Sequence, residues 1–421
     1  MREKQNVPKL RFPGFTDEWE QCRLIDIANY VRGSFPQPYN NPEWFDELNG
    51  MPFVQVADIG FDLKLFAQTK LKISKIAESK SRFVKEGTVI VALQGSIEKS
   101  IGRVAITQYP SFIDRTILIF ESYKIPMNKG LFAQLIQRLF QVEKERAWGA
   151  TISTITKEVV NDFILTLPKI EEQNRLGEMF IELDRILLLH QQKLEHLQEQ
   201  KKGLLQKMFP RAGESIPKVR FLEFDKEWEK LTILEAVDGK ISDGDWIEKE
   251  HIFDEGEYRI IQTGNLGIGD YQNKPKSAKY FHQENFDELK ANEIYSGDIL
   301  ISRLANPAGR TIILPETGFR MVTAVDVAVI RPNNKFDSYF FKTIMNSEKM
   351  LYEIRKKVTG TTHKRISRKN LEQISFLIPG IDEQIAIGTF FRQLDDLITL
   401  HQRKIGNLKQ QKKGLLQQMF V

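Results

Sequence analysis

Residues Ile170 to Phe209 read IEEQNRLGEMFIELDRILLLHQQKLEHLQEQKKGLLQKMF. The chain repeats the text, altered, from Ile381 to Phe420: IDEQIAIGTFFRQLDDLITLHQRKIGNLKQQKKGLLQQMF. Aligned without a gap, both copies close on the same KKGLLQ-MF. Each carries one apolar stripe. In the first copy it runs Leu176, Phe180, Leu183, Leu187, His190, Leu194, Leu197, Lys201, Leu204, Met208. In the second it runs Ile387, Phe391, Leu394, Ile398, His401, Ile405, Leu408, Lys412, Leu415, Met419. The steps alternate four and three, which is the seam of a coiled coil. Both copies interrupt it with a His and a Lys at the same steps. So narrow a stripe needs a partner helix, and the other copy is the nearest candidate. Pro168 and Pro379 precede the helices, and Glu171, Glu172, Asp382 and Glu383 fill their first turns, as helix starts favour. Pro210 stops the first helix, and 211–215 lead into the second half.

Outside the helices the text also repeats. VPKLRFPGFTDEWE (Val7–Glu20) returns as IPKVRFLEFDKEWE (Ile216–Glu229). The period of about 210 residues is far too long for a solenoid and reads as tandem duplication of a whole module. Between signature and helix, the two halves have diverged. The first shows strand-like runs at Pro52–Ala57, Thr88–Leu93, Arg103–Thr107 and Thr116–Phe120, then a helical segment over Lys129–Arg146. The second shows Tyr258–Thr263, Asp298–Ser302, Arg310–Leu314 and Asp326–Ile330, then one helix over Ser338–Lys356. Faint echoes survive: FVQVADIG from Phe53 against IIQTGNLG from Ile260, Gly102-Arg103 against Gly309-Arg310, and GATISTI from Gly149 against GTTHKRI from Gly360. The expected fold class is α+β, with two domains on one scaffold that differ in surface.

The 421 residues suit two to three domains. Charged residues are 28% and apolar residues 41%, ordinary for a globular chain. The net charge of +5 and the isoelectric point near 8.9 lean basic, which fits a polyanion partner without requiring one. One cysteine, Cys22, excludes a disulfide framework and a cysteine metal site. MREKQNVPKL lacks the apolar core of a signal peptide, and no run approaches the ~18 apolar residues of a membrane span, so the cytoplasm is expected.

Catalytic motifs are missing where they would be expected. There is no phosphate-binding G-x-x-x-x-G-K-[ST]; Gly239-Lys240 lacks both the upstream glycine and the following hydroxyl. Gly264-Asn-Leu-Gly267-Ile-Gly269 has the wrong spacing for a dinucleotide loop. Asn41-Pro42-Glu43-Trp44 is one proline short of an amino-methyltransferase tetrad. The six histidines form no H-E-x-x-H pair. No strand-borne carboxylate cluster followed by lysine stands out, so no metal site is expected.

The two W-E-x-x-x-L starts, the diverged central domains and the repeated EEQ/DEQ…H-Q…L…K-K-G-L-L-Q helices together resemble the specificity subunit of a type I restriction–modification system, over essentially the whole chain. The resemblance implies two target recognition domains, 21–167 and 230–378, each reading one half of a bipartite, asymmetric site in double-stranded DNA. It implies that the spacer helices, 168–210 and 379–421, pair as an antiparallel coiled coil that separates the domains in an approximate internal two-fold arrangement. Residues 1–20 and 211–229 are then the repeated signature and the linker. The resemblance also implies two modification (methyltransferase) subunits docked on the helices, with restriction (motor) subunits joining them. No cofactor belongs to this chain; S-adenosylmethionine, ATP and Mg are used by the partners, and no membrane is involved. Two rival readings are a self-contained DNA methyltransferase or nuclease, and a coiled-coil scaffold with no DNA role.

Base readout needs Arg, Lys, Asn or Gln on loops that reach a groove. The candidates in the first domain are Gln94, Ser96, Lys99 and Arg103, then Thr151, Ser153, Thr154 and Lys157. In the second they are Arg303, Asn306 and Arg310, then Thr362, His363, Lys364, Arg365 and Arg368. Arg303, just past a strand, is expected to meet a guanine, a contact worth about 1–3 kcal/mol of discrimination. Most of the others touch phosphate, which positions the protein without carrying sequence information. His190 and His401 are read as polar seam residues that help fix register. Lys201-Lys202 and Lys412-Lys413 are read as a solvated helix face or a modification-subunit contact. Trp19 and Trp228 are read as packing anchors.

Overall fold

The computed structural model describes residues 6–96, 100–146, 154–211, 213–360 and 364–420. It is α+β and divides into two compact units. The first comprises Met1–Lys193 and Gln402–Val421, the second Leu194–His401. The division cuts through both long helices, Ile170–Lys207 and Ile381–Gln418, so each unit owns a piece of each.

In the first unit a four-stranded antiparallel sheet runs in the order Ala28–Arg32, Ile117–Tyr123, Val89–Ala92, Val104–Ile106. The run Val89-Ile-Val-Ala92 is buried on both faces, which is why it reads as continuous apolar text rather than alternation. A second four-stranded sheet, ordered Leu71–Ile73, Met51–Val54, Ser111–Ile113, Arg82–Val84, contains one parallel pair, Met51–Val54 with Ser111–Ile113. The helix Lys129–Arg146 buries Leu131, Phe132, Leu135, Ile136 and Phe140 in the core. Glu20–Arg23 pairs with Ile164–Leu167 in a separate antiparallel ribbon at the foot of the long helix.

The second unit repeats this order by itself. Its main sheet is Ile241–Asp243, Val327–Ile330, Ile299–Ser302, Thr311–Ile313. Its second sheet has three strands, Lys279–Phe281, Tyr258–Ile261 and Arg320–Thr323. Glu229–Thr232 pairs with Ser375–Ile378 in the matching ribbon. The single helix expected over Ser338–Lys356 is two, Ser338–Met345 and Glu348–Lys356. The break has a local cause. Ser347 accepts a hydrogen bond from Met350 N and starts a new helix. Asn346 turns its side chain to Thr311, accepting from its N–H at 3.1 Å and donating to its carbonyl at 2.7 Å. The strands of the second sheets were mostly invisible in the sequence, because three-residue runs carry too little periodicity to register.

The repeated text maps onto repeated contacts. In the first unit Arg11 grips Glu172 through two bonds of 2.7 Å, and in the second Arg220 grips Glu383 at 2.7 and 2.6 Å. Gln173 donates to Pro168 O and accepts from Asn128 N, and Gln384 does the same with Pro379 and Asp337. Leu10 N bonds Gln418 O, and Val219 N bonds Lys207 O. Each signature thus straps down the end of a long helix. Trp19 and Trp228 are buried beneath the straps.

The stripe residues lie inside these units. Leu176, Phe180, Leu194, Leu197, Ile387, Phe391, Leu394 and Ile405 are buried, and Leu183, Leu187, Ile398, Leu408, His190 and His401 are half-buried. In the first unit Phe180 lies 5.5 Å from Phe420, ring to ring, and Asp184 2.6 Å from Lys412. In the second, Phe209 lies 6.1 Å from Phe391 and Lys201 2.5 Å from Asp395. Ascending one helix descends the other, so the pairing within each unit is antiparallel. Lys201 and Lys412 are therefore not on the solvated face expected of them. Each fills a half-buried seam position because the opposite copy supplies an aspartate there.

Asp395 gathers more than one cation. It accepts from Tyr339 Oη at 2.7 Å and lies 3.4 Å from Lys342 Nζ. Burial pushes Lys342 down to about 8 against the attraction of Asp395. An unfolded lysine keeps its proton to about 10.5, so between these values this group binds more protons in the unfolded chain and its contribution to stability rises with pH. Lys342→Met should abolish a rise of about 2 kcal/mol between pH 8 and 10. Urea unfolding of both proteins across that range checks it; parallel pH profiles would refute it.

Candidate nucleic-acid interface

In each main sheet the same end gathers the same backbone frame. In the first unit Leu93 N donates to Thr116 O at 2.8 Å and Ile155 N donates to Leu93 O at 2.8 Å. In the second, Arg303 N donates to Asp326 O at 2.8 Å and Ile366 N donates to Arg303 O at 3.0 Å. The strand–loop segments after Val89–Ala92 and Ile299–Ser302 meet the segments before Lys157–Asn161 and Arg368–Glu372 through the isolated bridges Gln94–Thr154 and Leu304–Arg365. These loops hold the residues singled out from the sequence.

In the first unit Gln94 and Thr154 are half-buried and adjacent, Ser96 is exposed, and Lys157 is exposed with its Nζ 5.6 Å from the Tyr30 ring. Arg103 is half-buried. It donates to Ile59 O at 3.0 Å and lies 4.0 Å over the ring of the exposed Phe61. Burial lowers the affinity of Arg103 for its proton, and burial with the neighbouring Arg103 does the same to Lys144. Lys99, Thr151 and Ser153 lie outside the described residues.

In the second unit Asn306 and Lys364 are exposed, and Arg310 is half-buried, donating to Thr263 O at 3.0 Å. It is the counterpart of Arg103, and in both the Nε is buried without a hydrogen-bond partner. Thr362 and His363 lie outside the described residues. Arg303 departs from its expected place. It is not on a loop reaching outward; its side chain is 4% exposed and pairs with Asp243 at 2.9 Å. Its Nη2 also donates to Val325 O. The frame explains this: the position belongs to the strand end, where the first unit buries Leu93. Burial lowers the proton affinity of Arg303, partly offset by Asp243.

Two guanidiniums remain half-exposed beside it. Arg365 Nε lies 2.8 Å from Asp326 Oδ1. Arg368 lies 3.4 Å from Asp243 Oδ2 and 3.1 Å from Glu372. The Arg303–Asp243 and Arg365–Asp326 contacts are close but poorly aligned, so Asp243 Oδ1 and Asp326 Oδ1 count as ion-paired while making no well-angled hydrogen bond. Sequence reading missed these acids. Their signal was available only in hindsight: Asp326 is the polar residue just before the apolar strand Val327–Ile330, and Asp243 closes the short strand Ile241–Asp243.

The profile of the family described as "Type I restriction modification DNA specificity domain" matches residues 16–199 and again 225–410. The chain belongs to this family and carries its domain twice. The MjaVIII type I restriction enzyme specificity subunit of Methanocaldococcus jannaschii is 22% identical, over 97% of this chain and 92% of that protein. The putative MjaX specificity subunit of the same organism is 24% identical, over 98% and 95%. Among solved structures, the S subunit of a type I restriction–modification system from M. genitalium matches with a TM-score of 0.63 at 14% identity, covering 99% of both chains. A chain solved for a study of complex assembly and conformational transition in the type I system matches with a TM-score of 0.51 at 17% identity, over 97% of this chain and 98% of that one. These structural likenesses bear on the fold.

Proposed function

We propose that this chain reads a bipartite, asymmetric site in double-stranded DNA and performs no catalysis itself, its first domain taking one half-site and its second the other. It acts in the cytoplasm with two modification subunits, which bring S-adenosylmethionine, and with restriction subunits, which use ATP and Mg. The observation that carries the reading is the division of labour between what repeats and what differs. Straps, ribbons and seam pairs recur at matching positions, whereas the sheet-end loops share a backbone frame and differ in side chains. Reading two unlike half-sites from one scaffold requires this.

Docking on the long helices is supported by Gly203 and Gly414. They stand at the same place in both copies and have nothing within 4 Å of where a Cβ would sit. Glycine inside a helix costs about 1 kcal/mol against alanine, so a smooth face there serves something outside this chain. Leu189 and Leu400, also at matching positions, are exposed apolar side chains on the same helices.

Exchanging residues 21–165 for the equivalent domain of a relative tests the function. With its modification subunits, the hybrid should methylate a motif with one new half and one unchanged half, read by sequencing methylated adenines. If both halves changed together, the domains would not read independently. Methyl transfer by the purified chain alone would favour the rival enzyme.

A further inference from the structure

We infer that Arg365 and Arg368 read guanine in the second half-site, and that Asp326, Asp243 and the buried Arg303 are positioning residues that aim them; this rests on the DNA-reading function proposed above. The two units place different chemistry on one frame. Where the first has Leu93, Thr116, Arg32, Thr154 and Lys157, the second has Arg303, Asp326, Asp243, Arg365 and Arg368. The frame does not need the charges. A buried leucine satisfies it in the first unit, and an ion pair buried in place of apolar side chains is often neutral or destabilising. The second unit nevertheless buries a guanidinium there and commits Asp243 to it.

That commitment has a geometric consequence. Asp243 is held from below by Arg303 and presents its other oxygen to Arg368, whose Nε is held by Glu372. Asp326, whose carbonyl accepts from Arg303 N, presents its carboxylate to Arg365 Nε. Arg365 is 42% and Arg368 45% exposed; Arg365 meets Asp326 only through Nε, which leaves its Nη1–Nη2 end open, while Arg368 meets Glu372 through Nε and Asp243 through Nη1, which leaves Nη2. Among the described residues no acceptor meets either Nη of Arg365. An oriented arginine fork can engage a phosphate as well, but guanine O6 and N7 accept the same fork in the major groove, and only that contact carries sequence information. Neutralising neighbours weaken a guanidinium as a phosphate ligand while improving it as an oriented donor.

The test maps the adenine-methylation motif made by the full chain with its modification subunits, for the wild type, Arg365→Ala, Asp326→Asn and Arg303→Leu. The domain exchange described above tells which half-site is second. The wild-type second half-site should contain guanine. Arg365→Ala should raise methylation of sites lacking one such guanine, relative to intact sites, by at least about fivefold. Asp326→Asn should relax the same position, and Arg303→Leu, which installs the first unit's residue, should relax the position read by Arg368. Base preferences in the first half-site should not move, which separates misaimed side chains from a damaged fold. A uniform loss with preferences intact would make these arginines phosphate contacts and overturn the inference. So would a second half-site without guanine. Full selectivity in Asp326→Asn, with selectivity lost in Arg365→Ala, would overturn the positioning role. Failure of the wild-type complex to methylate any defined motif would instead sink the DNA-reading function, and this inference with it.

Discussion

Glu172→Ala should destabilise the first unit by about 3–5 kcal/mol, the usual cost of stripping one partner from a buried ion pair. The Glu172 side chain is 2% exposed and that of Arg11 11%. Its two oxygens take both bonds from Arg11, and one also accepts from Trp19 Nε1 at 3.2 Å. Alanine leaves a largely buried guanidinium with only the more distant charge of Asp17, and an indole N–H without an acceptor. The strap formed by residues 6–19 then loses its hold on the long helix. Glu383→Ala should cost the second unit less, by about one hydrogen bond or ~1 kcal/mol, because Trp228 Nε1 has no hydrogen-bond partner to lose. Replacing both members, Arg11→Met with Glu172→Leu, should recover most of the loss, since the penalty lies in the orphaned charge and not in the absent pair. Urea titrations of the wild type, Arg11→Met, Glu172→Leu and the double variant give the coupling energy directly. A Glu172→Ala cost below about 1 kcal/mol would mean that Arg11 swings out to water and that the strap does not depend on the pair.

Gly388→Ala should destabilise the second unit by about 2 kcal/mol or more, although the same change in an open helix stabilises. A Cβ on Gly388 would overlap Asp337 Oδ1 and stand 3.0 Å from Phe340 N. Asp337 cannot simply move aside. Its Oδ1 accepts from Phe340 N at 2.7 Å and caps the helix Ser338–Met345, so displacing it forfeits the cap, worth about 1 kcal/mol. Gly177 meets the equivalent Asn128, which bonds Leu131 N at 3.0 Å. Gly414, 26 residues along the same helix as Gly388, touches nothing, and Gly414→Ala should gain about 0.5–1 kcal/mol. Thermal or urea melts of the two variants should therefore move in opposite directions. A gain at both positions would show that the capping residue yields freely and that the close approach is incidental.

How much of this was legible beforehand follows the range of the interactions. The long helices, their seam and the buried strand Val89-Ile-Val-Ala92 declare themselves through spacing within a dozen residues. The break at Asn346 did not, because an apolar pattern continues across it and, although the Ser347 cap is local, the Asn346 bonds go to Thr311. Of the candidate interface residues, the loops were found but not the direction of their side chains. Arg303 and Arg365 look alike as text, yet one is a buried tie and the other a half-exposed fork, and the difference depends on Asp243 and Asp326 arriving from other strands.

The sequence alone therefore determined the duplication, the α+β class, the helical seam and the contrast between repeated frame and diverged loops. Each of these is written in periodicity or in direct self-similarity, which backbone geometry translates locally. The tertiary structure decided which charges face inward and which glycines are crowded. Lys201 with Asp395, Lys412 with Asp184 and Arg11 with Glu172 join residues more than 150 positions apart. No local pattern pairs them. A charged side chain is tolerated in the interior only where folding brings an opposite charge against it, and that meeting exists only once the chain has folded.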